Sequence, residues 1–148
     1  MKIKPVILDR IQTRHTNYIV DFQLDSNVTF ITGDSGTGKS AVYSFLLEYS
    51  SEDKRVRCLN YLDHNKGYKT AIRKSKGKLF IIDNADILLD DNLRQHIVMD
   101  VENQYVIIGR NPTGLLLSQD DIRELVSTKK GEITTFMLET AFCNKCGW

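Results

Sequence analysis

Residues 31–40 read "ITGDSGTGKS", and the reading of these ten letters decides the rest. Gly33, Gly38, Lys39 and Ser40 stand in the pattern G-x-x-x-x-G-K-[ST], the spacing of a loop that cradles phosphate. Such a loop works only between a strand and a helix, because it aims backbone N–H groups and a helix N-terminus at phosphate oxygens. Val28, Phe30 and Ile31 form a short β-favouring run ahead of it, and Ala41, Val42, Phe45, Leu46 and Leu47 recur at helical spacing behind it. The bland alternative is a glycine turn that matches by chance, which requires strand, spacing, Lys and Ser to coincide.

Working outward, "PVILDRI" and "NYIVDFQL" read as two strands about the polar "QTRHT", and "NVTFITG" as a third that enters the loop. After the first helix, "KRVRCLNYL" predicts a strand, followed by a polar basic stretch. "KLFIIDNAD" is the continuous apolar run of a strand buried on both faces. In "DDNLRQHIVMDV", Leu93, Ile97, Val98 and Val101 have helical spacing, with Asp90 and Asp91 placed to cap the N-terminus. "QYVIIG" predicts another buried strand. In the tail, "DIRELVST" and "ITTFMLE" flank "KKGE" as a hairpin, although Asp120 and Asp121 could instead cap a helix through Leu125. The order predicts an α/β domain with a mainly parallel sheet flanked by helices, an N-terminal β-hairpin or meander and a C-terminal β-hairpin.

The length of 148 residues fits one domain, 1–148. Twenty Lys and Arg against nineteen Asp and Glu leave a net charge of +1, so attraction to a polyanion has to be local. No stretch approaches the roughly 18 apolar residues of a membrane span. Asp9 interrupts the run that a signal peptide would continue, and three cysteines suit a reducing compartment better than a disulfide framework; both predict a cytoplasmic protein.

With "GDSGTGKS" at 33–40 and "LFIID" ending at Asp83, the chain resembles the P-loop NTPase superfamily, and the two motifs look like its Walker A and Walker B. The hairpin before the loop is similar to the opening of ATP-binding-cassette and chromosome-maintenance ATPases. Those families also carry a serine-glycine-rich signature and an acidic pair at Walker B, and this sequence has neither. The resemblance implies a fold of that superfamily binding ATP or GTP with Mg²⁺. Gly33, Asp34, Ser35, Gly36, Thr37, Gly38, Lys39, Ser40 and Ala41 would surround the phosphates, with Lys39 against the β- and γ-phosphates. Ser40 and Asp83 would hold Mg²⁺; the plain role for Asp83 is a strand-end cap.

Hydrolysis also needs a water oriented or deprotonated in line with the γ-phosphate. Related ATPases place a Glu directly after the Walker B Asp, and here that position is Asn84. Asp86 is the nearest carboxylate, with capping of the next helix as its alternative. Arg110 or Asn111, after "VIIG", looks like the polar γ-phosphate sensor of AAA-type enzymes, or forms a turn set by Gly109 and Pro112. Tyr18 stands where cassette ATPases stack an aromatic ring on adenine, unless it is a packing residue.

The segment 66–78 contains six basic residues and Tyr68, which suits nucleic acid, with Tyr68 stacking on a base, or a solvated face. Cys143 and Cys146 form a C-x-x-C pair that needs Cys58, a histidine or another subunit to complete a metal site. Three functions follow. The first is an ATPase, slow in turnover, that drives or switches a protein partner or a second copy. The second is a nucleotide-sensing module with little hydrolysis, on nucleic acid or in an assembly. The third is a small-metabolite kinase, although the hairpin before the loop and the lack of an arginine-rich lid depart from those enzymes.

Overall fold

The computed structural model describes residues 3–32, 38–64 and 66–141. Eight strands form one sheet: β1 (Arg10–His15), β2 (Tyr18–Gln23), β3 (Val28–Thr32), β4 (Val56–Leu59), β5 (Leu79–Ile82), β6 (Gln104–Ile108), β7 (Ile122–Lys130) and β8 (Ile133–Thr140). Four helices accompany them: α1 (Lys39–Ser50), α2 (Tyr68–Lys74), α3 (Ala85–Leu88) and α4 (Asp91–Met99). The strand order is β1-β2-β8-β7-β3-β6-β5-β4. The run from β7 to β4 is parallel throughout, β8 is antiparallel to β7 and parallel to β2, and β1 closes the edge antiparallel to β2. The expected α/β class, parallel centre and two hairpins are all present, and the hairpins extend the central sheet.

The centre is covered on both faces, which is why its strands read as unbroken apolar runs. Leu79 and Ile81 of β5 point with Val106 and Ile108 of β6 toward Val42 and Leu46 of α1. Phe80, Ile82, Tyr105 and Ile107 point the other way, toward Ile72 of α2 and Leu93 and Ile97 of α4. The period of two thus assigns each strand residue to one of two cores. α4 begins where its acidic pair predicts: Asp90 is the N-cap and its Oδ1 accepts the Leu93 N–H at 2.8 Å. The helix stops at Met99, and Val101 is exposed beyond it.

Three expectations are corrected. The apolar "PVIL" is not a strand; the hairpin begins at Arg10 and takes in the polar "QTRH", whose alternate residues face solvent. The preceding segment is a strap held by side chains. The Ile7 and Leu8 amides donate to Gln104 Oε1 at 2.9 and 2.8 Å, and the Val6 amide donates to Asn27 Oδ1 at 3.1 Å, so these part-buried amides are satisfied without a ladder. The basic stretch contains α2, with Tyr68 and Ile72 one turn apart on its buried face and Arg73 and Lys74 at the end where cations suit the helix dipole. Tyr68 is only 5% exposed and its hydroxyl donates to the Leu88 carbonyl at 2.5 Å; packed in this way, the ring has no face to offer a base. Finally, Asp120 and Asp121 begin no long helix; they close a short 3-10 turn, Gln119–Asp121, before β7. Among the described residues no helix is long and apolar enough to cross a membrane.

Candidate functional site

Parallel strands deliver their carboxyl ends to one edge of a sheet, where open α/β sheets bind ligands. Here the start of α1, the segment after β5 and the end of β6 line a crevice of about 540 Å³. From the start of α1 come Gly38, Lys39, Ser40 and Ala41; from the segment after β5 come Asp83, Asn84 and Asp86; and from the end of β6 comes Arg110. These residues come from separate stretches of sequence, and the fold brings them to one crevice. Gly33, Asp34, Ser35, Gly36 and Thr37 lie outside the described residues.

Gly38 precedes α1 with φ 96°, and its carbonyl accepts the Val42 N–H at 2.9 Å. Among the described residues no side chain caps the helix and its first turn carries no acidic residue, and the leading amides and positive end of a helix dipole suit a negative ligand. Asp83 follows β5, anchored by its N–H to the Leu59 carbonyl at 2.8 Å. Its carboxyl is pushed above the ordinary value by burial; the Asn84 N–H, donated at 2.9 Å, and the nearby Lys39 ammonium act in the opposite direction. The Lys39 effect ties the two motifs together electrostatically. Tyr43, one turn into α1, is buried behind them, and burial raises its hydroxyl pKa with Cys58, Asp63 and Asp83 adding to the effect.

Asn84 has left-handed backbone, φ 55° and ψ 43°, and its Oδ1 accepts the Tyr61 N–H at 3.3 Å. Asp86 lies in the first turn of α3, whose N-cap is Asn84, and the next helix, α4, is capped by Asp90 instead. The Asp86 Oδ2 accepts the Arg110 N–H at 2.9 Å and its Oδ1 accepts the Asn111 N–H at 3.0 Å. Asn111 turns its own side chain into the loop, accepting the Thr113 N–H and hydroxyl at 3.0 and 2.5 Å, and so forms the turn. Arg110 is exposed and lines the crevice. Between them, Gly109 fits because it has no side chain: a Cβ there would meet the Ala85 Cβ at 3.1 Å and Phe30 Cζ at 3.3 Å.

Tyr18 does not line this crevice. It is 43% exposed and borders a second cavity of about 500 Å³ between the hairpin tip and the outer flank of α1. Its ring stacks on Phe45 and Phe136, with centroids 5.3 and 6.2 Å apart. Cys58 is a free thiol whose pKa burial pushes up to about 11, while Cys143 and Cys146 lie outside the described residues. Among the described residues no three His, Cys, Asp or Glu side chains cluster to hold a metal. Sequence reasoning missed Arg94 and Phe136, neither of which leaves a local signal, whereas Gly109, directly after an apolar strand run, was legible as the start of a turn.

No family model and no curated protein matches the sequence. Among solved structures the chain is similar to a chain in the structure of Drosophila ORC bound to DNA, with 16% identity and a TM-score of 0.42. The similarity covers 82% of this chain and 39% of that one, so the chain spans well under half the length of its structural neighbour.

Proposed function

We propose that this chain is an ATP- and Mg²⁺-binding P-loop NTPase that drives or switches a partner. The observation that carries the reading is the meeting of Lys39, Ser40 and Asp83 in one crevice at the carboxyl ends of the parallel strands, the two motifs arriving from separate parts of the sequence. In this reading the α1 amides and the Lys39 ammonium hold the phosphates, and Arg110 adds a second cation from the opposite wall. When bound, ATP and Mg²⁺ supply a cleavable phosphoanhydride and the charge neutralisation that its cleavage needs.

The residues present fit the cation. The Asp83 carboxylate is half-buried, spends one oxygen on the Asn84 amide, and with the Ser40 hydroxyl offers two oxygen ligands. The remaining positions would fall to phosphate oxygens and water, the arrangement Mg²⁺ favours. A nucleotide-sensing module with little turnover is the second reading. It is favoured by Asn84, whose amide cannot take a proton, and by Asp86, both of whose oxygens already accept backbone amides. For the segment 66–78, Lys69 pairs with Asp90, Lys76 with Glu102, and Lys78 donates to the Lys54 carbonyl; nucleic acid there would be met chiefly by Lys66, Arg73 and Lys74.

Thermal unfolding with and without ATP and Mg²⁺ tests the proposal. A ligand selective for the folded state at about 100 times its Kd adds roughly 2.7 kcal/mol, a shift of several degrees. Lys39→Ala should abolish the shift. Folded wild-type protein with no shift in millimolar ATP or GTP would refute it.

A further inference from the structure

The turn that follows β6 is gripped from two sides by charged groups that an ordinary exposed turn does not need. From α3, the Asp86 carboxylate accepts the Arg110 and Asn111 amides at 2.9 and 3.0 Å. From α4, Arg94 reaches the same turn, its Nη1 donating to the Asn111 and Thr113 carbonyls at 2.7 and 2.8 Å. The Arg94 Nε donates to the Leu89 carbonyl at 3.2 Å, and its Nη2 lies 4.0 Å from Asp86 Oδ1. Arg94 is 6% exposed. Burying a guanidinium carries a desolvation cost, whereas water would satisfy the carbonyls of a surface turn without it.

The arrangement has a consequence for charge as well as shape. Asp86 lines the crevice, where a bare carboxylate would repel phosphate; two amides and the neighbouring guanidinium compensate it. The Asn111 side chain is tied within the turn, and Arg110 is the residue of 110–113 that lines the crevice.

We propose that Asp86 and Arg94 are positioning residues, which together lock the turn 110–113 so that the Arg110 guanidinium is presented to the phosphates of a nucleoside triphosphate in the crevice. This rests on the nucleotide reading above and assigns Asp86 a role other than that of a base. Arg110 touches the ligand; Asp86 and Arg94 act through it.

The test is a double-mutant cycle on Asp86→Asn and Arg110→Ala, measuring Kd for ATP and for ADP with Mg²⁺, alongside hydrogen exchange of the Arg110 and Asn111 amides. Asp86→Asn is isosteric but turns an NH₂ group toward one of those amides. We expect faster exchange at both amides, and a preference for ATP over ADP reduced roughly tenfold, the scale of one charge-assisted hydrogen bond. Arg110→Ala should lose the same preference without opening the amides, and the double variant should lose no more than either alone. Arg94→Lys keeps the charge but cannot span two carbonyls, and should fall between. Opened amides with an unchanged ATP:ADP ratio, or effects that multiply in the double variant, would overturn the inference and leave the nucleotide site standing. Wild-type protein that binds neither nucleotide would overturn the reading beneath it.

Discussion

Phe136 of β8 fills the space that a side chain at Gly38 would take: a Cβ at position 38 would lie 2.8 Å from the ring Cε1. The last glycine of the loop motif is therefore required twice, once by its left-handed φ of 96° and once by a ring from the far end of the chain. Phe136 is itself wedged among Tyr18 and Phe45, so it has little room to retreat. Gly38→Ala should cost about 2–4 kcal/mol, combining left-handed strain with overpacking, which calorimetry would read as a fall of several degrees in Tm. Phe136→Leu in the same chain should recover part of it. A neutral Gly38→Ala would mean that the contact does not constrain the loop.

Asp83 carries a charge where burial disfavours it, a cost the ligand-free protein bears and a bound cation would relieve. Asp83→Asn should therefore raise Tm without ligand by a few degrees, since it removes a desolvated charge and keeps the side-chain shape. The same variant should lose the Mg²⁺-dependent part of any shift caused by ATP. A lower Tm without ligand would show that the carboxylate is a structural cap, the plainer role its position allows.

Asp100, the C-cap of α4 just ahead of β6, should contribute to acid stability. Burial alone would raise its pKa, but hydrogen bonds from Tyr105, Asn103 and the Glu102 amide outweigh burial and hold it below the ordinary carboxyl value. Its Oδ1 accepts the Glu102 and Asn103 amides at 2.9 and 3.2 Å, and its Oδ2 accepts the Tyr105 hydroxyl at 2.6 Å. With the folded pKa depressed, the unfolded chain binds more protons in that window. The stabilisation is thus full above the ordinary carboxyl pKa of about 3.9 and is lost as pH falls through the folded value. Asp100→Asn should cost about 1.5–3 kcal/mol at neutral pH and flatten the acid limb of a stability–pH curve. An unchanged acid limb would shift it to other carboxylates held low by cations, such as those of the pairs Arg10–Asp21, Arg55–Asp53 and Lys69–Asp90.

What was legible in the sequence was what local pattern encodes. β5 and β6 announce themselves because both faces are covered, and β7 and β8 because they flank Gly131, which has φ 64°. The strap at "PVIL" misleads because its amides are satisfied by Asn27 and Gln104 side chains, distant partners that periodicity cannot reveal. α2 hides because the six cations of 66–78 outnumber its two buried residues, Tyr68 and Ile72. Nothing local says that β7 inserts beside β3, since strand neighbours are chosen by tertiary packing. Lys39, Ser40 and Asp83 were visible as motifs, whereas Arg94 was not: its partners are backbone carbonyls, which every residue possesses and no sequence marks.

Asn84 is where turnover is decided in the proposed reading. Its left-handed backbone suits Asn or Asp but costs a longer side chain about 1–2 kcal/mol, and its carboxamide oxygen holds the Tyr61 amide. Asn84→Asp introduces a carboxylate at little conformational cost, while Asn84→Glu reaches further at the expense of stability. If water activation limits hydrolysis, phosphate release should rise in Asn84→Asp and more in Asn84→Glu, up to the 10²–10⁴-fold of a positioned base; ATP affinity should stay nearly constant, and Asn84→Glu should show a lower Tm. Asp86→Asn separates the competing account. A base at Asp86 predicts a sharp fall in rate with the ATP:ADP preference intact, whereas the brace predicts loss of that preference in step with Arg110→Ala. Were both Asn84 substitutions silent on a measurable wild-type rate, a conformational step or a group supplied by a partner would set the rate in place of the missing carboxylate.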